Sequence, residues 1–484
     1  MKVTRYTTFG ANGKAYEDVK EVEVTLEADE PRYLESDLIN IYPQFEYQVI
    51  EGFGGSMTGT AAYHFSRMDE ETRKQAMKEW FVDFNLKFVR MSLDSCDYSL
   101  TEYQAVEDPL ADPNLDTFSI KVDKEVIIPM LKEAMAIAKN DISVLISPWS
   151  PPKQWKTNPI KPSFPGMANN PFIANFDYDH PNRNRGGSLK PEYYGSWAKY
   201  VVKFIQAYLE EGIPVTMLTI QNEPRSATPW DSCVWTSEQE KVYLRDYLYP
   251  EMKKAGLTEK VGIFIWDHNK ERTLERALEV LDEETVTMIE GIAFHGYTGD
   301  HFEQIQKVRE LFPDKTLMLS EICGLHLPGR AGRPGMGFVK KTPEAVEYDD
   351  AVMYAHDIIG NINSGMNRWI DWNFIVDGEG GPRHLPGGFT ACMIANEDGT
   401  YRKDLCYSYL GHFARFILPG AKRILFSRCD DLVDVTAVKN PDGKLVLVVL
   451  NRGDEDTGYV LRLNGELART HFPAHTISTV IIEE

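Results

Sequence analysis

No stretch of this chain approaches the ~18 consecutive apolar residues that a membrane-spanning helix needs. Cysteine is scarce, with six in 484 residues and none in a C-x-x-C pair, so they read as buried thiols and no disulfide pairing is supported. The 11 histidines include no H-x-H or H-E-x-x-H cluster, so neither a metal nor any other cofactor is expected. A G-x-S-x-G elbow is missing, which disfavours a serine esterase. Gly52-Phe53-Gly54-Gly55 lacks the G-K-[ST] ending and the G-x-G-x-x-G spacing of phosphate loops, and is read as a tight turn closing a first strand. Basic residues are outnumbered, 52 against 73 acidic, for a net charge of −21. Such a surface repels nucleic acid and anionic lipid, so neither is an expected partner. The opening residues, MKVTRYTTFGANGKAYEDVKEV, contain no apolar signal region, and a cytoplasmic location is expected.

What the chain does have is 43% hydrophobic and 11% aromatic residues, ample for a large packed core. From residue 45 onward short apolar runs alternate with helix-period segments, the texture of repeated βα units. The predicted strands are Gln48–Phe53, Phe88–Leu93, Ser143–Ser147, Val215–Gln221, Val261–Trp266, Gly291–His295, Thr316–Ser320 and Arg368–Phe374. Eight such units imply an α/β fold, a closed (β/α)8 TIM barrel. After about Gly420 the pattern changes to period two with turn signals at Pro441-Asp442-Gly443 and Asn464-Gly465, which predicts an antiparallel β domain. The N-terminal segment has the same texture. Both termini are therefore expected to build one side β-sandwich, residues 1–45 and 419–484, around a catalytic barrel at 46–418. Two irregular insertions, 158–188 and 324–342, are expected to overhang the mouth.

In such a barrel the chemistry sits where strands end. Glu223 follows the fourth predicted strand and Glu321 the seventh, and two carboxyls in a shared pocket are what retaining glycoside hydrolysis requires. A lone strand-end glutamate is more often a salt-bridge partner; the pair is not so easily explained. Trp149, Trp230, Trp235, Trp369 and Trp372 could stack on a sugar's C–H face. Trp369, in mid-strand, is read as core, and Trp149 and Trp372, at strand ends, as binding residues. His295 and Tyr297 are either a satisfied buried pair or residues that orient a carboxylate.

The motifs GFGGSMT, RMSLDSCDYS, SPWSPPKQWKTN, QNEP, SEIC, IDWN and GEGGP occur in order, and with them the chain resembles glycoside hydrolase family 30, in particular its glucosylceramidase branch. The resemblance implies a barrel with a side β-sandwich, no cofactor, and hydrolysis of β-glycosides with retention. Carried over by position, Glu223 is the acid/base and Glu321 the nucleophile. Asp97, Trp149, Asn222 and Trp372 stand where the branch contacts the nonreducing sugar, and Arg90, His295 and Tyr297 match residues around the carboxylates. The chain departs from the branch at Gly296, where an aromatic is usual and which is expected near the leaving group, and at Arg383, where Asn is usual and which is expected at the sugar pocket. Ceramide as aglycone is therefore not expected.

These readings converge on a bacterial, exo-acting β-glucosidase taking a small carbohydrate, with β-1,6 linkages among its candidates. An endo-β-1,6-glucanase, a β-xylosidase or β-fucosidase, and a glucosylceramidase are the alternatives within the chemistry. A non-catalytic carbohydrate-binding protein is the distant one, since a binder has no use for two like charges in one dry site. A homo-oligomer is compatible with the sequence. Glu223 is expected to titrate above an ordinary glutamate because Glu321 is close.

Overall fold

The computed structural model of the chain describes residues 2–10, 22–24, 26–30, 35–162, 187–324, 343–385 and 388–483. Eight parallel strands close into a barrel in chain order: Gly52–Ser56, Phe88–Leu93, Ser143–Pro148, Val215–Thr219, Gly262–Asn269, Gly291–His295, Thr316–Glu321 and Arg368–Ile370. The last pairs back onto the first, Trp369 opposite Phe53. One side chain from each of seven strands fills the interior: Phe88, Leu145, Met217, Phe264, Ala293, Met318 and Ile370.

The first strand corrects the sequence reading. Gly52–Ser56 is the strand itself and not a turn after one, and Gln48–Ile50 belong to a different sheet. The glycines are there because neighbours come too close for anything larger. A Cβ on Gly54 would lie 2.4 Å from the Phe88 carbonyl, and one on Gly55 2.4 Å from the Phe374 ring. The fourth strand stops at Thr219 and the eighth at Ile370, both short of expectation, and the fifth runs on to Asn269.

The surrounding helices owe their position to one apolar stripe each. Tyr194–Glu210 buries Trp197, Val201, Phe204, Ile205 and Tyr208, a helical spacing that faces the barrel. Ser237–Tyr243 starts at a capping box in which the Thr236 hydroxyl accepts from the Gln239 amide. No helix among the described residues is long and apolar enough to cross a membrane.

Both termini build the second unit, a ten-stranded curled sheet with the order Val22–Glu23, Lys2–Phe9, Thr476–Glu483, Leu445–Asn451, Asp434–Lys439, Ala421–Arg428, Leu38–Ile50, Thr457–Leu463, Glu466–Phe472 and Leu26–Ala28. Its pairings are antiparallel except between Leu38–Ile50 and Thr457–Leu463. Leu445–Asn451 is buried along its whole length. Leu445, Leu447 and Val449 enter the sheet's own core, while Val446, Val448 and Leu450 join the barrel's, so its side chains alternate between two cores. The boundary expected at 45/46 falls inside Leu38–Ile50, and Glu51 alone separates that strand from the barrel. His412, on the helix Leu405–Ala414, ties the units together, its two ring nitrogens 2.8 Å from the hydroxyls of Thr8 and Thr479.

All six cysteines are free; five are buried as expected, and Cys429 is exposed. The expected insertions lie outside the described residues, apart from their ends at 158–162, 187–188 and 324.

Candidate active site

Glu321 is the last residue of the seventh strand, and its carboxylate is held from two sides. Arg90, on the second strand, donates from Nη1 to Oε2 at 2.5 Å, and Tyr297 donates its hydroxyl to Oε1 at 2.9 Å. Arg90 is fully buried and uses its whole fork: Nε donates to Ser147 Oγ at 3.1 Å, and Nη2 to Asn222 Oδ1 at 2.7 Å and Asp267 Oδ2 at 3.0 Å. Burial works against its charge, but Asp267 and Glu321 outweigh burial and raise its pKa.

Asp267 is the hub beneath the two glutamates. Burial alone would raise its carboxyl; Arg90 first, then His295 and the Ser320 hydroxyl, hold it well below the usual carboxylate range. The Thr219 hydroxyl adds a bond at 2.7 Å. His295 spans the gap above it, with Nε2 3.1 Å from Asp267 Oδ1 and Nδ1 3.3 Å from Glu223 Oε1. The same Nε2 is 4.0 Å from Glu321 Oε2. Burial lowers the imidazole, yet Glu321, Asp267 and Glu223 together push it up to about 9, so at neutral pH it is a cation donating both ways.

Glu223 follows the fourth strand in a left-handed backbone, φ 47°, and its amide donates to the Asp267 carbonyl at 2.9 Å. Its titration differs from expectation. Burial raises the carboxyl, but the imidazoles of His268 and His295 beside it leave it below the ordinary glutamate value.

On the sugar side, Trp149 and Trp372 stack on each other at 5.2 Å and 21°, with the Arg90 guanidinium 4.7 Å from the first ring and 5.4 Å from the second. Tyr98 meets Trp372 edge-on. Arg383 reaches Asp97 Oδ2 at 3.4 Å and lies over the Tyr98 ring at 4.9 Å. Burial raises the Asp97 carboxyl to about 7 despite Arg383, and Glu321, Glu223 and Asp231 add to the rise.

These distances place a carboxylate pair, a cation between them and an aromatic wall at the C-terminal end of the barrel. The chain matches the Glycosyl hydrolase family 30 TIM-barrel domain over residues 50–172 and 178–417, and the Glycosyl hydrolase family 30 beta sandwich domain over 420–480. It belongs to glycosyl hydrolase family 30. A lysosomal acid glucosylceramidase of Mus musculus is 29% identical over 441 residues, covering 87% of this chain and 78% of that one. An endo-1,6-beta-D-glucanase of Trichoderma harzianum is 22% identical over 452 residues, covering 90% and 84%. The crystal structure of SrfJ from Salmonella typhimurium superposes with a TM-score of 0.86 at 30% identity, covering 99% of this chain and all of that one.

As a family 30 glycoside hydrolase, the chain brings all ten sequence-predicted residues to one mouth: Arg90, Asp97, Trp149, Asn222, Glu223, His295, Tyr297, Glu321, Trp372 and Arg383. Of the other tryptophans, Trp369 is wholly buried in the core, Trp235 is buried with its Nε1 donating to Gln221, and Trp230 packs half-buried beside Trp149 and Trp372. Gly296 stands between the inward-reaching His295 and Tyr297. A Cβ there would lie 2.5 Å from Ile322 Cδ1 and 3.5 Å from Asp357 Oδ2, so these neighbours leave no room for a side chain. Two buried groups went unread in the sequence, Asp267 and His268. Both follow the apolar run Ile263–Trp266, where the strand-end rule points at them.

Proposed function

We propose that this family 30 hydrolase is a retaining, exo-acting β-glucosidase, with Glu321 as nucleophile and Glu223 as acid/base. One observation carries the reading: a single protonated imidazole, His295, lies against both carboxyls, so that the two glutamates share one charged environment with distinct partners. Arg90 and Tyr297 hold the Glu321 carboxylate in place, and Glu321 attacks the anomeric carbon to form a glycosyl-enzyme. Glu223 gives its proton to the departing oxygen and then takes one from the water that releases the sugar. Because the Glu223 carboxyl lies below the ordinary glutamate value, its proton is held jointly with His295, 3.3 Å away, and the hydrogen-bonded pair titrates as a unit.

Exo action is supported by the Asp97–Arg383 pair braced on Tyr98, which bounds the sugar side beyond the tryptophan stack. The glucanase relative from Trichoderma harzianum favours β-1,6-linked glucose and keeps an endo-acting enzyme as the second reading. Incubation with a β-1,6-linked gluco-oligosaccharide labelled at its reducing end separates them. Glucose as the sole early product, appearing first as the β-anomer by proton NMR, supports the exo-acting retaining enzyme. Internal fragments establish the endo reading, and an α-anomer overturns retention.

A further inference from the structure

The fifth barrel strand, Gly262–Asn269, carries a bulge. Ala293 on the neighbouring strand pairs with Trp266 and Phe294 with His268, leaving Asp267 as the extra residue. Trp266 and Asp267 both have left-handed backbones, φ 75° and 53°. A bulky tryptophan in that region is strained and persists only where its surroundings hold it. Here the Trp266 amide donates to Glu240 Oε1 at 3.0 Å, its indole Nε1 donates to the Asn269 carbonyl at 3.0 Å, and Arg276 lies over the ring at 5.0 Å.

The bulge breaks the alternation of a strand, so that Asp267 and His268, adjacent in sequence, both serve the site. Asp267 supplies the carbonyl that binds the Glu223 amide. His268 places Nε2 3.9 Å from Glu223 Oε1 and 3.0 Å from the hydroxyl of Ser226, whose own amide donates to the Glu223 carbonyl at 2.9 Å. The imidazole is 7% exposed and packs against the Trp266 ring at 5.0 Å. Its Nδ1 is buried without a hydrogen-bond partner.

We propose that His268 is a positioning residue of the hydrolysis, a neutral imidazole which the bulge delivers to Glu223 to hold that carboxyl, and the turn bearing it, in the orientation that hands a proton to the leaving oxygen. The proposal rests on Glu223 being the acid/base. The ring is faced by Glu223 and Glu271 on one side of its charge balance and by His295 and Arg276 on the other, and burial decides, holding it down to about 4. His268 is therefore uncharged at neutral pH. A hydrogen on Nδ1 would be buried without an acceptor, whereas a hydrogen on Nε2 faces Ser226 Oγ and Glu223 Oε1, so Nε2 carries it. His295 grips the same oxygen from the neighbouring sixth strand as a cation. Glu223 Oε1 thus faces two rings of different charge, at 3.3 and 3.9 Å, from a residue whose own backbone is left-handed.

The test compares His268→Phe, which keeps the ring against Trp266 and removes the donor, with His268→Gln, which restores an N–H donor. Each is assayed on a 2,4-dinitrophenyl β-glucoside, whose leaving group needs no proton, and on an alkyl β-glucoside, whose leaving group does. His268→Phe is expected to lower kcat on the alkyl glucoside by about tenfold while the dinitrophenyl glucoside changes less than about threefold, since only proton delivery is impaired. Loss of a donor to the ionised carboxylate also moves the alkaline limb of the alkyl-glucoside profile to higher pH. Groups facing Glu223 in that titration are His268 and Asp267 from the fifth strand and His295 from the sixth. His268→Gln is expected to recover most of the lost rate and the original limb. Equal losses on both substrates, or an unmoved limb with full activity, would overturn the inference. Glu223→Ala is run beside them: if it too fails to discriminate between the substrates, the acid/base assignment falls and not the role of His268. Should the Phe variant not fold, the Gln variant against His268→Ala reads the same split.

Discussion

Arg90 donates to Glu321 at 2.5 Å from a guanidinium with no exposed surface, and its remaining nitrogens are all committed to Ser147, Asn222 and Asp267. The geometry of one planar fork therefore sets the spacing of groups from three barrel strands and the loop after a fourth.

Replacing that fork by a point charge should be costly. Arg90→Lys keeps the charge beside Glu321 and Asp267 but cannot make the four bonds at once. A fall in kcat/KM of at least about 100-fold is expected, together with a stability loss of ~1–3 kcal/mol from the acceptors left unpaired. Steady-state kinetics and thermal unfolding check both. A Lys variant with more than half the wild-type rate would show that positive charge, and not the fork, is what the site needs.

Azide distinguishes the two glutamates. With Glu223→Ala, a dinitrophenyl β-glucoside should still form the glycosyl-enzyme, and azide should accelerate turnover and yield a β-glycosyl azide. Glu321→Ala should be inactive with and without azide, or yield the α-azide. Product configuration by NMR decides. A β-azide from the Glu321 variant would reverse the roles.

Arg383 is expected to bind a hydroxyl of a neutral sugar jointly with Asp97. Arg383→Asn should raise KM for β-glucosides by about tenfold, equivalent to ~1.4 kcal/mol. Since Arg383 lowers the Asp97 carboxyl, its removal should also drive Asp97 above its present value of about 7. The comparison that matters is β-glucoside against β-glucuronide for both proteins. If the wild type prefers the glucuronide and the variant does not, Arg383 is a carboxylate clamp and the glucosidase reading is wrong.

A fourth expectation concerns stability far from the mouth. Burial raises Asp123 from 3.8 to about 7, against a hydrogen bond from Tyr103. A carboxyl raised in the folded state keeps its proton there while the unfolded chain has lost it, so its contribution to stability is fully present below about 4 and is lost as pH rises toward 7. Asp123→Asn should therefore gain on wild type in thermal unfolding between pH 4 and 7, with the gap constant above. A gap independent of pH would mean that Asp123 is ionised in the folded protein throughout.

How far the sequence could be read depended on what each strand buries. Phe88–Leu93 and Gly291–His295 are buried along their whole length and mostly apolar, and their observed ends coincide with those expected. Gly52–Ser56 has one large apolar residue, since Phe88 and Phe374 occupy the space its side chains would fill, and a strand selected for smallness gives no hydrophobic signal. The eighth strand ends at Ile370, short of the expected run, and Asn373 beyond it has a left-handed backbone, φ 66°. Among site residues, those in motifs at strand ends were legible. Asp267 and His268 depend on a bulge, and periodicity cannot register one extra residue in an otherwise apolar strand. The Glu223 titration was missed for the same reason, because His268 is one of the two rings that set it.

The single residue Glu51 between Leu38–Ile50 and the first barrel strand leaves no room for a hinge. Ile50 already packs in the barrel core and accepts a hydrogen bond from Gly420 at 2.8 Å, so the chain enters and leaves the barrel at one fixed junction. A protein engineer could not exchange the curled sheet as a cassette at its C-terminal boundary alone. Removing 420–483 would strip Leu38–Ile50 of both its partners and expose the alternate face of the barrel's helices, so grafting must carry both chain ends together, and heat should melt the two units in one cooperative step.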